Sequence, residues 1–371
     1  MSEFVVSARK YRPQTFDTVV GQKSITTTLK NAIKNEHLAQ AFLFCGGRGV
    51  GKTTTARILA KTINCTERTS NVEACDKCES CISFNEGASL NVYELDGASN
   101  NSVDDIRGLI DQVRIPPQLG SHKVYIIDEV HMLSSSAFNA FLKTLEEPPK
   151  HAIFILATTE KHKIIPTILS RCQIFDFARI KVQDIADHLA VIATKEGIDA
   201  EGDALHQIAQ KADGALRDAL SIFDQIVAFA GNKITYQDII ENLNIMDHDY
   251  FFRFVDYALG ENIPSSLILF NEVITKGFDP HNFVIGMASH MRNLLVCKDP
   301  NTVKLLEVAD SVQQKYLEQA IKVSAAFALR SLGVLSKTDV DYKSSKNSRL
   351  LVELALMQLC SITAELEKKN P

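Results

Sequence analysis

The chain has 371 residues, 45% hydrophobic and 23% charged, with 40 Lys+Arg against 45 Asp+Glu. That length suits two or three domains, and 17 Gly with 10 Pro exclude a fibrous or low-complexity chain. The net charge of −5 argues against bulk-charge coating of nucleic acid, yet residues 1–61 hold ten Lys/Arg against three Asp/Glu and the remainder thirty against forty-two. Eight cysteines make no disulfide scaffold, the first ten residues have no apolar signal-peptide core, and no apolar run approaches the roughly 18 residues of a membrane span. A soluble, cytoplasmic protein is expected.

In chain order, residues 41–45, 91–95, 123–127, 152–157 and 173–177 are short apolar runs that read as buried strands. Amphipathic segments at 52–64, 103–113 and 135–145 lie between them as helices. This alternation predicts a parallel sheet covered on both faces. From about residue 179 the pattern is helical only. Segments 182–196, 203–213 and 215–230 each end at a glycine (Gly197, Gly214, Gly231) suited to a left-handed cap, and 236–243 opens with Thr235 and Asp238 in capping-box spacing. The chain stays helical after Asn244, with 350–363 a clear example of apolar i, i+3, i+4 spacing. Lys298-Asp299-Pro300 reads as a loop.

Residues 46–53, Gly46-Gly47-Arg48-Gly49-Val50-Gly51-Lys52-Thr53, fit G-x-x-x-x-G-K-[ST] between a strand and a helix. Glycines allow successive N–H groups to face phosphate oxygens, and the following helix adds its positive end. Lys52 brings a point charge to the β/γ-phosphates, and the Thr53 hydroxyl can ligate Mg²⁺. Val124-Tyr125-Ile126-Ile127-Asp128-Glu129-Val130-His131 is an apolar strand ending in two carboxylates. Beside a phosphate loop, Asp128 can hold Mg²⁺ and Glu129 can deprotonate an attacking water, which predicts ATP hydrolysis. His131 reads equally well as a hydrogen-bonded loop residue or a switch. Lys10, Arg12 and Lys52 are expected to surround the triphosphate.

Cys65, Cys75, Cys78 and Cys81 form C-x9-C-x2-C-x2-C, which suits a closed, structural zinc site. An iron–sulfur cluster or a redox switch is the alternative reading. Cys45, Cys172, Cys297 and Cys360 sit in apolar contexts and read as buried core thiols.

The phosphate loop, the cysteine module, Asp128-Glu129-Val130-His131-Met132-Leu133, Ala157-Thr158-Thr159, Ser170-Arg171-Cys172 and Leu216-Arg217-Asp218-Ala219 occur in that order. So does Phe138-Asn139-Ala140 followed by Leu145-Glu146-Glu147-Pro148-Pro149. The chain thereby resembles the gamma/tau subunits of bacterial DNA polymerase III clamp loaders, AAA+ ATPases of the replication-factor-C-like group. The likeness runs from Ala8-Arg9-Lys10-Tyr11-Arg12-Pro13 through the second domain and is weakest in the last third of the chain. It implies an α/β phosphate-loop AAA+ core over residues 1–178 with a zinc insertion at about 65–81, a helical lid at 179–243 and an all-α collar at 244–371.

The resemblance further implies that Thr159 is sensor 1, reading the γ-phosphate, and Arg217 sensor 2. Arg171 would be an arginine finger directed at the neighbouring subunit's ATP. Ala8, Tyr11, Arg12, Pro13, Val20 and Leu216 would flank the adenine and ribose, with Thr54 beside the phosphate loop. Implied partners are further copies of the chain, delta and delta-prime subunits, the β sliding clamp and primer–template DNA inside the ring. ATP binding would open the clamp, and hydrolysis would release it onto DNA. Some members of the resembled family carry basic residues after the second strand, whereas Gly97 to Asp105 here is neutral, then acidic. The stop at Pro371 is expected of either a short, gamma-like form or a trimmed piece of a longer, tau-like chain. Two alternatives remain: a non-hydrolysing delta-prime-like subunit, which the intact Lys52, Thr53, Asp128 and Glu129 disfavour, and another AAA+ DNA ATPase such as a branch-migration motor.

Overall fold

The computed structural model describes residues 5–117, 120–243, 245–306, 308 and 310–369; Asn244 and Pro371, named above as boundaries, lie outside them. They divide into two compact units, Met1–Glu196 with Ile208–Gln225, and Gly197–Gln207 with Ile226–Pro371.

In the first unit, strands β1 (Ala41–Gly46), β2 (Val92–Asp96), β3 (Lys123–Asp128), β4 (Ala152–Thr158) and β5 (Gln173–Phe177) form one sheet in the order β2-β3-β4-β1-β5. Every neighbouring pair is parallel. Alternate side chains point to opposite faces, so the apolar runs supply two cores. Phe42, Phe44, Ile126, Ile155 and Phe175 pack with Leu29 and Leu59 of the helices Lys23–Lys34 and Lys52–Asn64. Leu43, Tyr125, Ile127, Phe154 and Leu156 pack with Leu109 and Phe141 of Val103–Val113 and Ser135–Glu146. Each fully buried phenylalanine contributes up to about 3 kcal/mol of transfer free energy. The expectation of five buried strands needs one correction. β2 is an edge strand whose residues are all partly or fully exposed, because it has a neighbour on one side only.

The helices Val182–Glu196, Gly202–Lys211 and Leu216–Ala230 are followed by glycines at positive φ, Gly197 (70°), Gly214 (79°) and Gly231 (75°). Thr235 and Asp238 form the reciprocal capping box before Tyr236–Asn242. Unforeseen was a two-residue parallel pairing in the second unit, β6 (Asp199–Ala200) with β7 (Lys233–Ile234). The rest of that unit comprises the helices His248–Leu259, Ile263–Thr275, Pro280–Val296, Asp310–Lys322, Ala325–Tyr342 and Ser348–Lys369. Their shared core includes Phe254, Phe270, Phe283, Met287, Leu335 and Leu356. No helix among the described residues is long and apolar enough to cross a membrane.

A polar group is set into that core. His290, 1% exposed, bonds through Nδ1 to the Tyr316 hydroxyl (2.9 Å) and through Nε2 to Gln319 Oε1 (2.9 Å). Gln319 in turn donates to the Phe252 carbonyl (2.8 Å) and to Asp256 (3.0 Å). Burial pulls the His290 pKa from 6.5 down to about 3, and burial lowers that of His248 as well. The unfolded chain therefore binds more protons than the folded one below pH 6.5, and stability falls as pH drops from there toward 3. The slope is at most about 1.4 kcal/mol per pH unit for one such group. Urea denaturation between pH 7 and pH 4 should register this decline, and His290→Gln should flatten it; an unchanged slope would remove His290 as its source.

Candidate functional site

The parallel registers bring the carboxyl ends of β1, β3 and β4 together, the edge where open α/β sheets carry their ligands. The chain leaves β1 through Gly46 at φ 150°. A Cβ there would meet the Phe177 carbonyl oxygen at 2.6 Å, so only glycine fits. Gly51, at φ 101°, caps the helix that starts at Lys52. The Lys52 ammonium folds back onto the carbonyls of Gly46 (2.9 Å) and Gly47 (2.7 Å). Burial lowers its pKa, opposed by the nearby Glu129 and Asp128.

From β3, Asp128 accepts a hydrogen bond from the Thr53 hydroxyl at 2.5 Å. These two Mg²⁺-ligand candidates are therefore already adjacent. Glu129 is a non-glycine residue in the left-handed region (φ 45°, ψ 45°), a conformation that costs of order 1–3 kcal/mol and is concentrated at functional sites. Its carboxylate accepts from both the Thr159 hydroxyl (2.9 Å) and the Thr159 N–H (3.2 Å) at the end of β4. His131 joins them, with Nδ1 3.3 Å from Glu129 Oε2 and 3.0 Å from the Thr158 hydroxyl, and Nε2 3.3 Å from Glu160. Sequence reasoning left His131 between two readings; here it is a 6%-exposed side chain shared by two carboxylates.

A cavity of about 550 Å³ opens beside these groups. Of the expected nucleotide contacts, Ala8, Tyr11, Arg12, Pro13, Val20, Gly49, Val50, Gly51, Lys52, Thr53, Thr54, Asp128, Leu216 and Arg217 line it. Gly46, Gly47, Arg48, Glu129 and Thr159 do not line it. Lys10 is a correction to the expected triphosphate cluster: it pairs with Glu196 (2.5 Å) and stays off the cavity wall. Tyr11 bonds to the same carboxylate, and the Ser7 N–H donates to Asp224 (2.7 Å), so the N-terminal segment is tied to the Val182–Glu196 and Leu216–Ala230 helices. Val6, Arg9, Val19, Glu94, Ile180 and Leu220 also line the cavity and were not foreseen. Leu220 was reachable, being one turn from Leu216 on the same helix face; the others come from segments that only the fold brings close.

Arg171 stands outside the cavity, half-buried. Its guanidinium donates to the Thr167 carbonyl (2.8 Å) and to Glu146 (2.8 Å). In the segment after β2, Ser102 and Asp105 form a capping box at the start of Val103–Val113. Asp104 and Asp105 fill that helix's first turn.

The four cysteines of the insertion converge, their sulfurs all within 4.8 Å of one another and those of Cys65 and Cys78 4.0 Å apart. A tetrahedral ion with bonds near 2.3 Å sets sulfurs roughly 3.8 Å apart, so the group fits a metal. The Cys75 N–H points to the Cys65 sulfur (3.3 Å), and the N–H groups of Cys78 (3.2 Å) and Lys77 (3.4 Å) point to that of Cys75. Such donors stabilise thiolate charge. Of the other cysteines, Cys45 and Cys360 are buried, as expected. Cys172 and Cys297 are only partly so, each standing at the margin of its core.

A five-stranded parallel sheet carrying a phosphate loop on β1, paired carboxylates on β3 and a polar residue at the end of β4, followed by a helical lid, defines an AAA+ protein. Residues 21–181 match the family model described as "DNA polymerase III, delta subunit", 184–232 "DNA polymerase III clamp loader subunit, ATPase lid domain", and 234–370 "DNA polymerase III subunits gamma and tau domain III". The chain is 40% identical over 353 residues to DNA polymerase III subunit tau of Bacillus subtilis, covering 95% of this chain and 62% of that one. With DNA polymerase III subunit gamma of Buchnera aphidicola subsp. Baizongia pistaciae it shares 32% identity over 97% of this chain and 98% of that one. Among solved structures, the Thermotoga maritima RuvB Holliday junction branch migration motor overlays 67% of this chain and 79% of its own at 18% identity and a TM-score of 0.48. The chain belongs to the gamma/tau family of DNA polymerase III clamp-loader subunits. It spans less than two thirds of the Bacillus tau relative's length and nearly all of the Buchnera gamma relative's.

Proposed function

We propose that this chain is the ATP-hydrolysing motor subunit of a cytoplasmic bacterial clamp loader, in which ATP binding and hydrolysis open the sliding β-clamp and load it onto primer–template DNA. The observation that carries this is the convergence of Lys52, Thr53, Asp128, Glu129 and Thr159 at one sheet edge, beside a cavity that Arg12 and Arg217 also line. A delta-prime-like subunit that only donates an arginine has no need of the complete set. The three family matches, ending at 181, 232 and 370, support a division into core (1–178), lid (179–243) and collar (244–371).

In this reading Lys52 and the phosphate loop hold the β- and γ-phosphates, and Thr53 and Asp128 hold Mg²⁺, which neutralises charge developing on the phosphates. Glu129 is the general base. Its bonds to Thr159 and proximity to His131 hold the carboxylate oriented in advance, the strain at its backbone being one cost of that position. Arg217 is sensor 2, and Ala8, Tyr11, Pro13, Val20 and Leu216 receive the nucleoside. Arg171, outside its own chain's cavity, serves in trans on the ATP of a neighbouring copy, within a ring that also contains delta and delta-prime subunits. The cysteine group holds structural Zn²⁺.

Glu129→Gln is expected to bind ATP normally and to lower turnover at least about 100-fold; turnover near wild type would dismiss it as the base. For Arg171→Ala the expected result is unchanged ATP affinity of the isolated chain and a loss of about 10³-fold in hydrolysis by the assembled ring, in assays with purified delta, delta-prime, β-clamp and primed DNA. An equal defect in the isolated chain would rule out a role in trans. Elemental analysis should find one zinc per chain in the wild type and loss of it in Cys78→Ser, whereas iron, or no metal, would overturn the zinc site.

A further inference from the structure

A second cavity, also about 550 Å³, adjoins the first and shares Arg9, Arg12, Pro13 and Thr54 with it. Its remaining wall comes from Gln14, from Arg57, Ile58 and Lys61 of the Lys52–Asn64 helix and from Asp76, Phe84 and Asn85 of the cysteine module. Thr54, Arg57 and Lys61 are spaced i, i+3, i+7, so one helix face supplies them.

The charges in this wall do not balance. Lys61, whose side chain is 2% exposed, pairs with Asp76 at 2.6 Å, and Asn85 donates to the same Asp76 oxygen (3.1 Å). Arg57 pairs with Glu94 of β2, its guanidinium 5.1 Å from the centre of the Phe84 ring. Arg12 donates through Nε to the Thr54 hydroxyl (3.2 Å), and among the described residues this is its side chain's one hydrogen bond. The Arg9 side chain has no ion pair among them. Four cations thus meet two carboxylates, Asp76 and Glu94. Burial and the repulsion of Arg57 and Arg217 lower the Arg12 pKa, and the opposing attraction of Glu94 and Asp128 does not restore it.

We propose that this cavity is a second anion site, for a small free phosphate anion of the size of inorganic phosphate or pyrophosphate. A surplus of two positive charges matches a phosphate dianion, and converging guanidinium groups bind phosphate oxygens with paired N–H donors. Phe84 fixes the Arg57 plane, and Lys61 supplies buried positive potential. Because Arg12 and Thr54 wall both cavities, an anion in the second changes the electrostatics of the first, and linkage requires the reverse influence to be equal. The site would hold phosphate beside the bound nucleotide without touching Lys52.

The test is calorimetric titration of inorganic pyrophosphate into the full chain saturated with ADP in metal-free buffer. The reading of the first cavity as the nucleotide site enters only through this blocking step. Failure of ADP to bind would show in its own titration and count against that reading alone. One equivalent of pyrophosphate should bind the ADP-loaded chain. Arg57→Gln, at a helix position about one third exposed and off the first cavity's wall, should weaken it at least tenfold and leave ADP affinity within twofold. No pyrophosphate binding to the ADP-loaded chain, unaltered binding by Arg57→Gln, or displacement of the pyrophosphate by a primed duplex oligonucleotide would each overturn the proposal.

Discussion

A lysine ammonium buried at the carboxyl edge of a parallel sheet is the constraint on which the catalytic half of this molecule depends. Lys52 is 5% exposed, and its direct partners are two uncharged carbonyls of its own loop. Burying a charge with so little compensation is tolerable only where opposite charge is close. Asp128 and Glu129 supply it from β3, and the parallel register is what brings them there. The order β3-β4-β1 sets one strand between loop and carboxylates, and the residue that follows that strand, Thr159, holds Glu129. The loop, the acidic pair and the polar strand end are therefore one electrostatic assembly.

Much of this was legible in the sequence, for identifiable reasons. The three inner strands of the first unit are short and buried on both faces, so their apolar runs stand out; β1, β3 and β4 each miss one residue at the carboxyl end, β2 is off by one at both ends, and β5 matches. The lid helices end where glycine follows them, since a left-handed cap leaves a local mark. The two-residue pairing of β6 with β7 leaves none, being too short to impose a pattern. β2 was misjudged as buried because an edge strand with apolar residues looks like a central one until its neighbours are known. In the site, Lys52, Thr53, Asp128 and Glu129 were readable from spacing. Val6, Val19, Glu94 and Ile180 were not, because they become wall residues only when the N-terminal segment, the sheet edge and the start of the lid meet. Lys10 failed in the opposite sense, assigned to phosphate by its charge when Glu196, far along the chain, takes it.

Arg171 illustrates a different limit. Its partners, the Thr167 carbonyl and Glu146, fix the guanidinium near the surface without extinguishing its charge, as a neutral acceptor and a half-exposed carboxylate would. A surface pair of this sort is worth little to stability. In the proposed role in trans its value would lie in preorientation, since a guanidinium already held in one geometry loses less entropy when an anion from another chain arrives. Nothing in the residue's immediate sequence, and nothing in its contacts within the chain, distinguishes that role from an ordinary surface ion pair.

The uneven charge along the chain follows from the same logic. The first 61 residues carry a surplus of seven positive charges, and the fold meets part of it with acids from later segments. Lys30 pairs with Glu73 as well as Asp17, Lys61 with Asp76, Arg57 with Glu94, and Lys10 with Glu196. Glu73 also accepts from the backbone N–H groups of Phe16 and Asp17, fastening the N-terminal segment to the insertion. Four of the ten N-terminal cations are thus balanced across elements, which ties the cysteine module and the edge strand to the phosphate-loop helix and the Val182–Glu196 helix to the N-terminal segment. Among the described residues Arg9, Arg12, Lys23, Lys34, Arg48 and Lys52 have no such ion pair, and of these Arg9, Arg12 and Lys52 stand at the cavities. There unmatched positive charge and room for an anion coincide, and that coincidence, not charge alone, marks the site.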